Sequence, residues 1–332
     1  MNRATSPTGW VRNPVMKSPG LDPIQASSYE LGWTYNPMSG CKNHTPEGLC
    51  LGGLFPCYAC KLANGRLKPL YLANPNVPPI ITKEPLRLIQ AGELQTRLLD
   101  PFYPRFWQSR IRRENFGACT GGAEPKGIFV CDMGDLFGQG IPEEWTRRVL
   151  NHIGMSWYRE HRFYLLTKQA QNLINFSPFP ENCWVGVTAT SQQAFLDAIY
   201  ALVHIKATVR YISFEPLLAE IPMTPEQLKA SCNWLIIGAC TGTKAEMTEL
   251  VRKYPELMLM PFGNKWTAQP PISWLREIIE AADKAGVKVF LKDNLEPLWT
   301  LENRKEPFFK FSRVSPGATE VGKLRQEMPI EQ

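Results

Sequence analysis

The sequence predicts an α/β fold built on a parallel sheet, either open or closed into a (βα) barrel. Short, almost entirely apolar runs recur along the chain, as expected for strands that are buried on both faces. Segments with helical periodicity lie between several of these runs, and alternating strands and helices are typical of parallel sheets. The 332 residues suffice for about two domains of ~150 residues or for one barrel of ~250.

Seven apolar runs predict the strands of this sheet. They lie at residues 32–35, 128–131, 163–166, 184–187, 211–214, 234–237 and 287–291. Most of them are apolar almost throughout, which favours strands covered by helices on both sides.

Three stretches predict helices between the strands. The helix at 141–153 opens with a proline and two carboxylates, which suit a helix N-terminus. Ser191 is the expected N-cap of a helix at 192–205 with an apolar stripe. The helix at 272–285 is followed by Gly286, a residue type that commonly ends helices. This order of elements supports parallel connections.

Composition divides the chain into three segments. Residues 1–28 are rich in Pro, Ser and Asn and predict a flexible lead-in. Residues 29–298 carry the alternation of strands and helices and predict the barrel, with a cysteine-rich loop at 40–63. Residues 299–332 predict a charged C-terminal extension without periodicity.

The overall composition excludes several classes of protein. Hydrophobic residues make up 44% and charged residues 20% of the chain, which excludes a largely disordered protein. No apolar run approaches the ~20 residues that cross a bilayer. The N-terminus has no apolar core of the signal-peptide kind, so we expect a cytoplasmic protein without membrane contact. The net charge of +6 permits a phosphate-bearing partner without requiring one.

Four of the nine cysteines fall within twenty residues, at Cys41, Cys50, Cys57 and Cys60. In a reducing compartment, clustered cysteines bind metal or react more often than they form disulfides. Four thiolates could hold a structural Zn²⁺, and three could hold a [4Fe-4S] cluster with one iron left open. The thiols could also pack as small hydrophobic side chains. Gaps of eight, six and two residues do not decide between zinc and iron–sulfur.

Polar or flexible residues close the seven predicted strands. In chain order they are Asn36, Asp132, Lys168, Thr188, Glu215, Gly238 and Lys292. Ligands of parallel sheets bind at the C-terminal ends of the strands. Four charged residues among these positions therefore predict a polar site on one rim. The alternative is that the strands simply end in polar loop residues.

The cysteine loop resembles that of the radical S-adenosylmethionine (SAM) enzymes. It follows the first predicted strand and ends Cys57-Tyr58-Ala59, similar to the cysteine and aromatic residue that close the motif in those enzymes. The chain is also similar to a phage- and bacteria-associated three-Cys-motif family related to spore photoproduct lyase. The similarity spans roughly residues 30–330. It rests on segments 33–37, 40–41, Cys50, 57–59, 129–137, 166–168, 184–188, 213–218, 234–238, 290–292 and 324–329.

The resemblance implies a partial or near-complete radical-SAM-like barrel in which Cys41, Cys50 and Cys57 hold a [4Fe-4S] cluster and Cys60 is spare. It implies that SAM binds the open iron and that one-electron reduction releases a 5′-deoxyadenosyl radical, which abstracts a hydrogen from the substrate. The chain would then be an enzyme that receives electrons from a flavodoxin- or ferredoxin-type donor.

This sequence departs from the usual pattern in two respects. The compact spacing of three and then two intervening residues is stretched to eight and six. The Gly-Gly-Glu element that holds the methionine of SAM in many relatives is replaced by Asp132-Met133-Gly134-Asp135. If Cys60 is a ligand, the open iron disappears and the zinc interpretation gains.

The resemblance implies roles for residues around the predicted cluster. Tyr58 would pack against the adenine of SAM, and Asp132 or Asp135 would accept a hydrogen bond from its ammonium group. Lys168 and Lys292 would meet the SAM carboxylate or a substrate phosphate. Both lysines could instead pair with neighbouring carboxylates.

Further roles follow for residues at the later strand ends. Thr188 and Glu215 would reach the ribose hydroxyls of SAM, and Gly238 would let the backbone approach the adenine. Cys131 and Cys240 are candidate hydrogen-atom donors to a product radical. Each of these residues could instead contact only its neighbours, and a buried small residue is the ordinary role of such cysteines.

The stretch 102–113 interleaves four aromatic residues with Arg105, Arg110, Arg112 and Arg113. This composition can stack bases and neutralise phosphates. It also fits an amphipathic helix with its aromatic side chains in the core. Together with the resemblance, it suggests a nucleic acid or nucleotide as the substrate of a repair or modification reaction.

The rival hypothesis is a non-enzymatic zinc-stabilised protein that binds nucleic acid or protein. In that case the four clustered cysteines close one metal site, and the arginine–aromatic stretch docks the partner.

Overall fold

The computed structural model describes residues 2–3, 10–12, 32–79, 94–112, 125–299, 308–311 and 322–329. The chain divides into two compact units, Met1–Trp184 and Val185–Gln332. Within the described part of the chain, every helix is too short or too polar to cross a membrane.

The first unit is built on a sheet with the strand order β1-β2-β7-β8. Its strands are β1 (Asn2–Arg3), β2 (Trp33–Tyr35), β3 (Met38–Ser39), β4 (Leu49–Cys50), β5 (Phe55–Pro56), β6 (Arg105–Phe106), β7 (Gly127–Val130) and β8 (Arg162–Thr167). Strands β2, β7 and β8 are parallel, and β1 is antiparallel to β2. Two short antiparallel pairs, β3–β6 and β4–β5, lie outside this sheet.

Helices of the first unit follow the cysteine loop and strand β7. They are α1 (Tyr58–Asn64), α2 (Lys68–Leu72), α3 (94–99) and α4 (Glu143–Ile153), with short 3-10 helices at Gln108–Arg110, Ser156–Tyr158 and Ala170–Phe176. Helix α4 confirms the helix predicted at 141–153. Its first turn carries two glutamates, and Val149, Leu150 and Ile153 are buried, as its amphipathic pattern requires.

The structure describes five residues of the predicted lead-in at 1–28. Residues 2–3 pair with strand β2. Trp10 is buried, with its ring centroid 5.2 Å from that of Phe129 and 5.5 Å from that of Tyr164. An indole buries a large apolar surface, so this contact attaches the described part of the segment to the sheet. The boundary at residue 28 stays a prediction.

The second unit contains a sheet with the order β9-β10-β11-β15. Its strands are β9 (Cys183–Thr188), which begins at the end of the first unit, β10 (Val209–Phe214), β11 (Trp234–Ile237), β12 (Cys240–Gly242), β13 (Met258–Phe262), β14 (Lys265–Gln269), β15 (Lys288–Leu291), β16 (Phe309–Phe311) and β17 (Gly322–Leu324). Strands β10, β11 and β15 are parallel. Strands β12, β14 and β13 form an antiparallel sheet, and β16 pairs with β17.

The described residues of the second unit form four α-helices: α5 (Gln192–Val203), α6 (Pro225–Ser231), α7 (Lys244–Lys253) and α8 (Ile272–Ala285), with a 3-10 helix at Asp293–Leu298. Ser191 caps α5 by accepting a hydrogen bond from the backbone N–H of Ala194. Gly286 ends α8 in the left-handed conformation, at φ +72°. Both predicted helix ends are therefore confirmed.

The C-terminal extension contributes a segment to the edge of strand β15. The backbone N–H of Leu291 donates to Arg325 at 2.8 Å, and that of Glu327 donates to Val289 at 2.9 Å. The Arg325 guanidinium is buried and contacts the carboxylates of Asp283 and Glu327. This pairing covers backbone groups that an open edge would expose.

The predicted α/β class is confirmed, and all seven predicted runs are strands. Three parallel strands belong to the first unit, and four strands form the main sheet of the second. Among the described residues, these strands do not close into a barrel. A near-complete barrel is therefore not observed.

Candidate functional site

The cysteine loop is anchored to the end of strand β7 through two facing glycines. Gly40 forms a parallel bridge with Gly134, and its N–H donates to the carbonyl of Met133 at 2.8 Å. A Cβ on Gly134 would lie 2.7 Å from the Gly40 oxygen, and one on Gly40 would lie 2.6 Å from the Phe102 oxygen. Gly40 also has φ +86°. Only glycine fits this approach of two backbones.

A short hairpin inside the loop positions two of the cysteines. Cys50 lies on β4 opposite Phe55 of β5. The N–H of Cys57 donates to the carbonyl of Gly48 at 3.1 Å, and Gly48 has φ +83°. Helix α1 starts at the residue after Cys57. The turn therefore brings the second and third cysteines to the same end of the loop.

The thiols of Cys41, Cys50 and Cys57 lie within electrostatic reach of one another. Burial raises the pKa of Cys41, and Asp135, Cys50 and Cys57 raise it further. Burial also raises the pKa of Cys57, and Cys50 adds to this effect although Lys168 opposes it. The three residues that the resemblance assigns to the cluster therefore share one neighbourhood.

The ammonium group of Lys168 interacts electrostatically with these thiols. Burial lowers the pKa of Lys168, but Cys50, Cys57, Asp135 and Cys41 together raise it above its ordinary value. The sequence predicted a role for Lys168 at SAM or a phosphate. The structure places its charge beside the three cysteines.

The surroundings of Cys60 differ only in part from those of the three thiols, because Cys41 and Cys57 pack against the apolar cluster that contains it. Cys60 is buried in this cluster with Ala63 and Tyr71, and the side-chain amide of Asn64 lies 3.4 Å from its sulfur. Burial raises the pKa of Cys60 to about 11, and of the other loop thiols only Cys57 adds to the shift. Among the loop thiols, Cys60 is therefore coupled electrostatically to Cys57 but not to Cys41 or Cys50.

The described residues include no group of three or more His, Cys, Asp or Glu side chains at ligand spacing. The three thiols are therefore near one another but not converged. Their donor chemistry fits an iron–sulfur cluster, because thiolates are its usual ligands. Thiol ligands must lose their protons when the metal binds, so metal binding is coupled to the protonation of the site.

Both carboxylate oxygens of Asp135 are occupied by protein donors. The Thr167 hydroxyl contacts both oxygens at 2.8 and 2.9 Å, and the backbone N–H groups of Phe137 and Lys168 donate at 3.1 Å each. Asp135 is buried, and burial raises its pKa against these hydrogen bonds. Asp135 therefore joins the 132–137 turn to the end of β8 and offers little to a ligand.

Asp132 is partly exposed and has fewer partners. Among the described residues, Asn36 is the one side chain that donates to its carboxylate, at 2.5 Å. Burial raises the pKa of Asp132, and the hydrogen bond from Asn36 lowers it. No described lysine or arginine forms an ion pair with it. A desolvated carboxylate of this kind favours a cationic ligand.

Tyr58 connects the cysteine loop to the same turn. Its hydroxyl donates to the backbone carbonyl of Asp132 at 2.5 Å. Burial of the hydroxyl raises the pKa of Tyr58 well above its usual value, although 38% of the residue is exposed. The exposed ring remains accessible, so its predicted contact with adenine stays a prediction.

In the second unit, the predicted residues Glu215, Gly238 and Lys292 follow three strands that pair in register. Lys292 forms an ion pair with Glu215. A Cβ on Gly238 would lie 2.9 Å from Cδ of Lys292. The missing side chain of Gly238 therefore gives space to the lysine stem, a role that the sequence did not predict.

Lys292 is buried, as are the predicted residues not yet described, Thr188, Cys240 and Cys131. Burial lowers the pKa of Lys292 to about 7, and Asp293 opposes the shift. Thr188 at the end of β9 is 3% exposed, and Cys240 lies on β12 opposite Ala268. Cys131 is buried with φ +61°, and burial raises its pKa. Hydrogen-atom transfer from either cysteine stays a prediction.

The structure contradicts the predicted contact of Arg105 with nucleic acid. This side chain is fully buried, and its guanidinium donates to the carbonyls of Asn74, Asp100, Tyr103 and Leu98 at 2.6 to 3.0 Å. A guanidinium occupied by backbone carbonyls is not available to phosphates. It instead holds together the backbone that precedes β6, through hydrogen bonds to these carbonyls.

The other predicted arginines differ from Arg105. Arg110 stacks over the ring of Trp107 at 4.1 Å and donates to the backbone carbonyl of Asn36 at 2.7 Å. Arg112 is exposed. Arg113 lies outside the described residues. The predicted amphipathic helix is also absent from 102–112, which contains only a short strand and one 3-10 turn.

Sequence reasoning missed the role of Asn36. It was recognised only as a strand end, yet its side-chain amide donates to Asp132 and its amide oxygen accepts from the N–H of Met133 at 3.0 Å. Its position at the end of the first predicted strand was the available signal. The partner residues are almost a hundred positions away, so only the parallel pairing of β2 with β7 brings them together.

Comparison with solved structures finds a mutant of spore photoproduct lyase at 13% sequence identity and a TM-score of 0.42, covering 83% of this chain and 81% of that chain. No curated protein matches the chain. Membership of the three-Cys-motif family stays a prediction. A family model described as "Protein of unknown function (DUF5131)" matches residues 29–251, which is more than half of the chain. The chain therefore belongs to the DUF5131 family.

Proposed function

We propose that this chain is a radical SAM-type enzyme whose Cys41, Cys50 and Cys57 hold a [4Fe-4S] cluster. The observation that carries the proposal is that Cys41 and Cys57 pack against one apolar cluster and are both coupled electrostatically to Cys50, whereas Cys60 is coupled to Cys57 alone. Three thiol ligands leave one iron open for a cosubstrate, whereas four would close the site.

When bound, the cluster and SAM supply a one-electron reduction and a radical that abstracts hydrogen. The protein binds and orients the cosubstrate. We assign the SAM ammonium group to Asp132, because this carboxylate is desolvated and has one side-chain donor among the described residues. Asp135 is the weaker candidate, because its oxygens already accept from three protein donors, the Thr167 hydroxyl and two backbone N–H groups.

The test of the cluster is metal and sulfide analysis of anaerobically purified protein, with visible and EPR spectra before and after SAM is added. We expect about four irons and four sulfides per chain, as a [4Fe-4S] cluster requires, and an EPR signal that SAM shifts. One zinc and no iron would overturn the proposal.

Single serine variants of the four cysteines sharpen this test. Cys41→Ser, Cys50→Ser and Cys57→Ser should each lose most of the iron. Cys60→Ser is the matched control, because it removes a buried thiol of the same loop, and it should keep the iron. Loss of metal in all four variants would instead support the zinc-stabilised binding protein.

For the substrate, we propose a nucleic acid or nucleotide, with electrons supplied by a flavodoxin- or ferredoxin-type donor. The net charge of +6 and the exposed Arg112 support this assignment. Electrostatic binding of phosphates weakens steeply with salt. Binding of a labelled oligonucleotide should therefore fall as salt rises, and Arg112→Ala should reduce that slope. Salt-independent binding, or no binding at low salt, would contradict the substrate assignment.

A further inference from the structure

The ammonium group of Lys168 is coupled electrostatically to the three thiols. Binding of a cluster by the three cysteines does not by itself give this lysine a role. Lys168 follows directly after β8, and its backbone N–H donates to Asp135 at 3.1 Å. The side chain is partly buried, and its ammonium lies 5.8 Å from the ring centroid of Phe55. This hydrogen bond to Asp135 holds the backbone of Lys168, from which the side chain extends towards the cysteine loop.

A glycine in the loop allows this approach. A Cβ on Gly52 would lie 3.4 Å from Cδ of Lys168 and 3.7 Å from the sulfur of Cys50. The stem of Lys168 and the thiol of Cys50 therefore both lie next to the Cα of Gly52, which carries no side chain. Gly52 lies two residues after Cys50, in the turn that precedes β5.

We propose that Lys168 is the counter-charge of the three-cysteine centre and raises the reduction potential of the cluster held there. The inference rests on the proposed function, since it assumes that Cys41, Cys50 and Cys57 bind the cluster. It assigns Lys168 to the metal centre itself, in place of its predicted contact with SAM or a phosphate.

Electrostatics gives the direction of the effect. Three thiolates outweigh the positive charge of an oxidised [4Fe-4S] core, so the centre keeps a net negative charge. In a partly buried loop such a charge is destabilising unless it is compensated. One-electron reduction adds a further negative charge to the centre. A fixed ammonium stabilises the reduced state more than the oxidised state, and burial weakens solvent screening. Net charge around a cluster is an established determinant of its potential.

The test compares Lys168→Met with Lys168→Arg by EPR-monitored redox titration of the anaerobic protein without SAM or substrate. Lys168→Met keeps the length of the stem and removes the charge, whereas Lys168→Arg keeps the charge. At a fixed potential, the reduced-to-oxidised ratio should fall about tenfold in Lys168→Met, a downward shift of about 59 mV for a one-electron couple. Lys168→Arg should stay near wild type.

Lys61→Met is the matched control. Lys61 is an exposed lysine of helix α1, four residues after Cys57. Solvent screens its charge, so its removal should shift the potential much less than the removal of Lys168.

The outcomes separate this inference from the proposed function. A wild-type protein without a cluster would overturn the proposed function and this inference with it. A cluster whose potential is the same in wild type and Lys168→Met would overturn only the role of Lys168. If Lys168→Met assembles no cluster while Lys168→Arg does, the need for a counter-charge is supported. Loss of the cluster in both variants would overturn the inference, because shape rather than charge would then matter.

Discussion

The side-chain amide of Asn36 at the end of β2 donates to the carboxylate of Asp132 at the end of β7, at 2.5 Å. The oxygen of the same amide accepts from the N–H of Met133 at 3.0 Å. Asn36 therefore orients both the carboxylate and the backbone that follows it. A side chain held in this way is suited to bind a ligand without rearrangement.

Asp132→Asn should weaken SAM binding by at least about tenfold, because it replaces the carboxylate that we assign to the ammonium group. Isothermal titration calorimetry on the cluster-containing protein measures this change. Glu47→Gln is the control, since Glu47 is a fully exposed carboxylate of the cysteine loop. Equal affinities in Asp132→Asn and wild type would remove Asp132 from the SAM site.

Gly238→Ala should destabilise the protein by about 1–3 kcal/mol, because the new methyl group overpacks against the Lys292 stem. Urea unfolding measures the loss. The same substitution in a Lys292→Ala background should be less destabilising, since Cδ of Lys292, which would crowd the new methyl group, is then absent. Equal losses in the two backgrounds would show that Lys292 is not the group that Gly238 accommodates.

His152 gives a pH dependence with a defined sign. It is buried on α4, and burial lowers its pKa below the ordinary 6.5. The unfolded chain then binds more protons than the folded chain below about pH 6.5, so stability falls as the pH drops through that region. His152→Gln should reduce the difference in unfolding free energy between pH 7.5 and pH 5.5.

The exposed His204 provides the matched control for His152. His204→Gln removes a histidine from the surface at the end of α5, so it controls for the replacement of a histidine as such. If both variants behave like wild type, the buried imidazole does not contribute to the loss of stability in acid.

Arg325→Met should cost about 1–3 kcal/mol, because it leaves the carboxylate of Glu327 without its buried partner. The guanidinium is 8% exposed and lies 2.6 Å from Asp283 and 2.8 Å from Glu327. Arg252→Met removes an exposed ion pair with Glu249 and should change stability by less than ~1 kcal/mol. Thermal or urea unfolding of the two variants gives the comparison, and equal effects would contradict the role of Arg325.

The parallel strands could be predicted because their residues are buried on both faces. Such strands are visible as apolar runs even when it is not known which strands pair. The hairpin of β13 and β14 was missed, because its exposure varies along each strand. Its turn contains Gly263 at φ +56° followed by Asn264, a dipeptide that can indicate a hairpin. Helices α6 and α7 were also missed, although both begin with a capping box.

For the candidate site, the sequence identified the cysteines and both aspartates. Only the resemblance set Cys60 apart from the other cysteines, and the two aspartates were not ranked. Whether Cys60 joins the other thiols depends on which face of α1 packs on the apolar cluster around Tyr71. The difference between Asp132 and Asp135 depends on Thr167, more than thirty residues away. These are long-range contacts, and residue spacing contains no information about them.

The pair Gly40 and Gly134 has a consequence for how this protein can change during evolution. The loop leaves the sheet through a contact that involves backbone atoms alone, upstream of all three proposed ligands. Insertions or deletions between Cys41 and Cys57 therefore need not move that contact. A library with randomised loop lengths, selected for folded protein, should retain both glycines while the number of residues between the cysteines drifts.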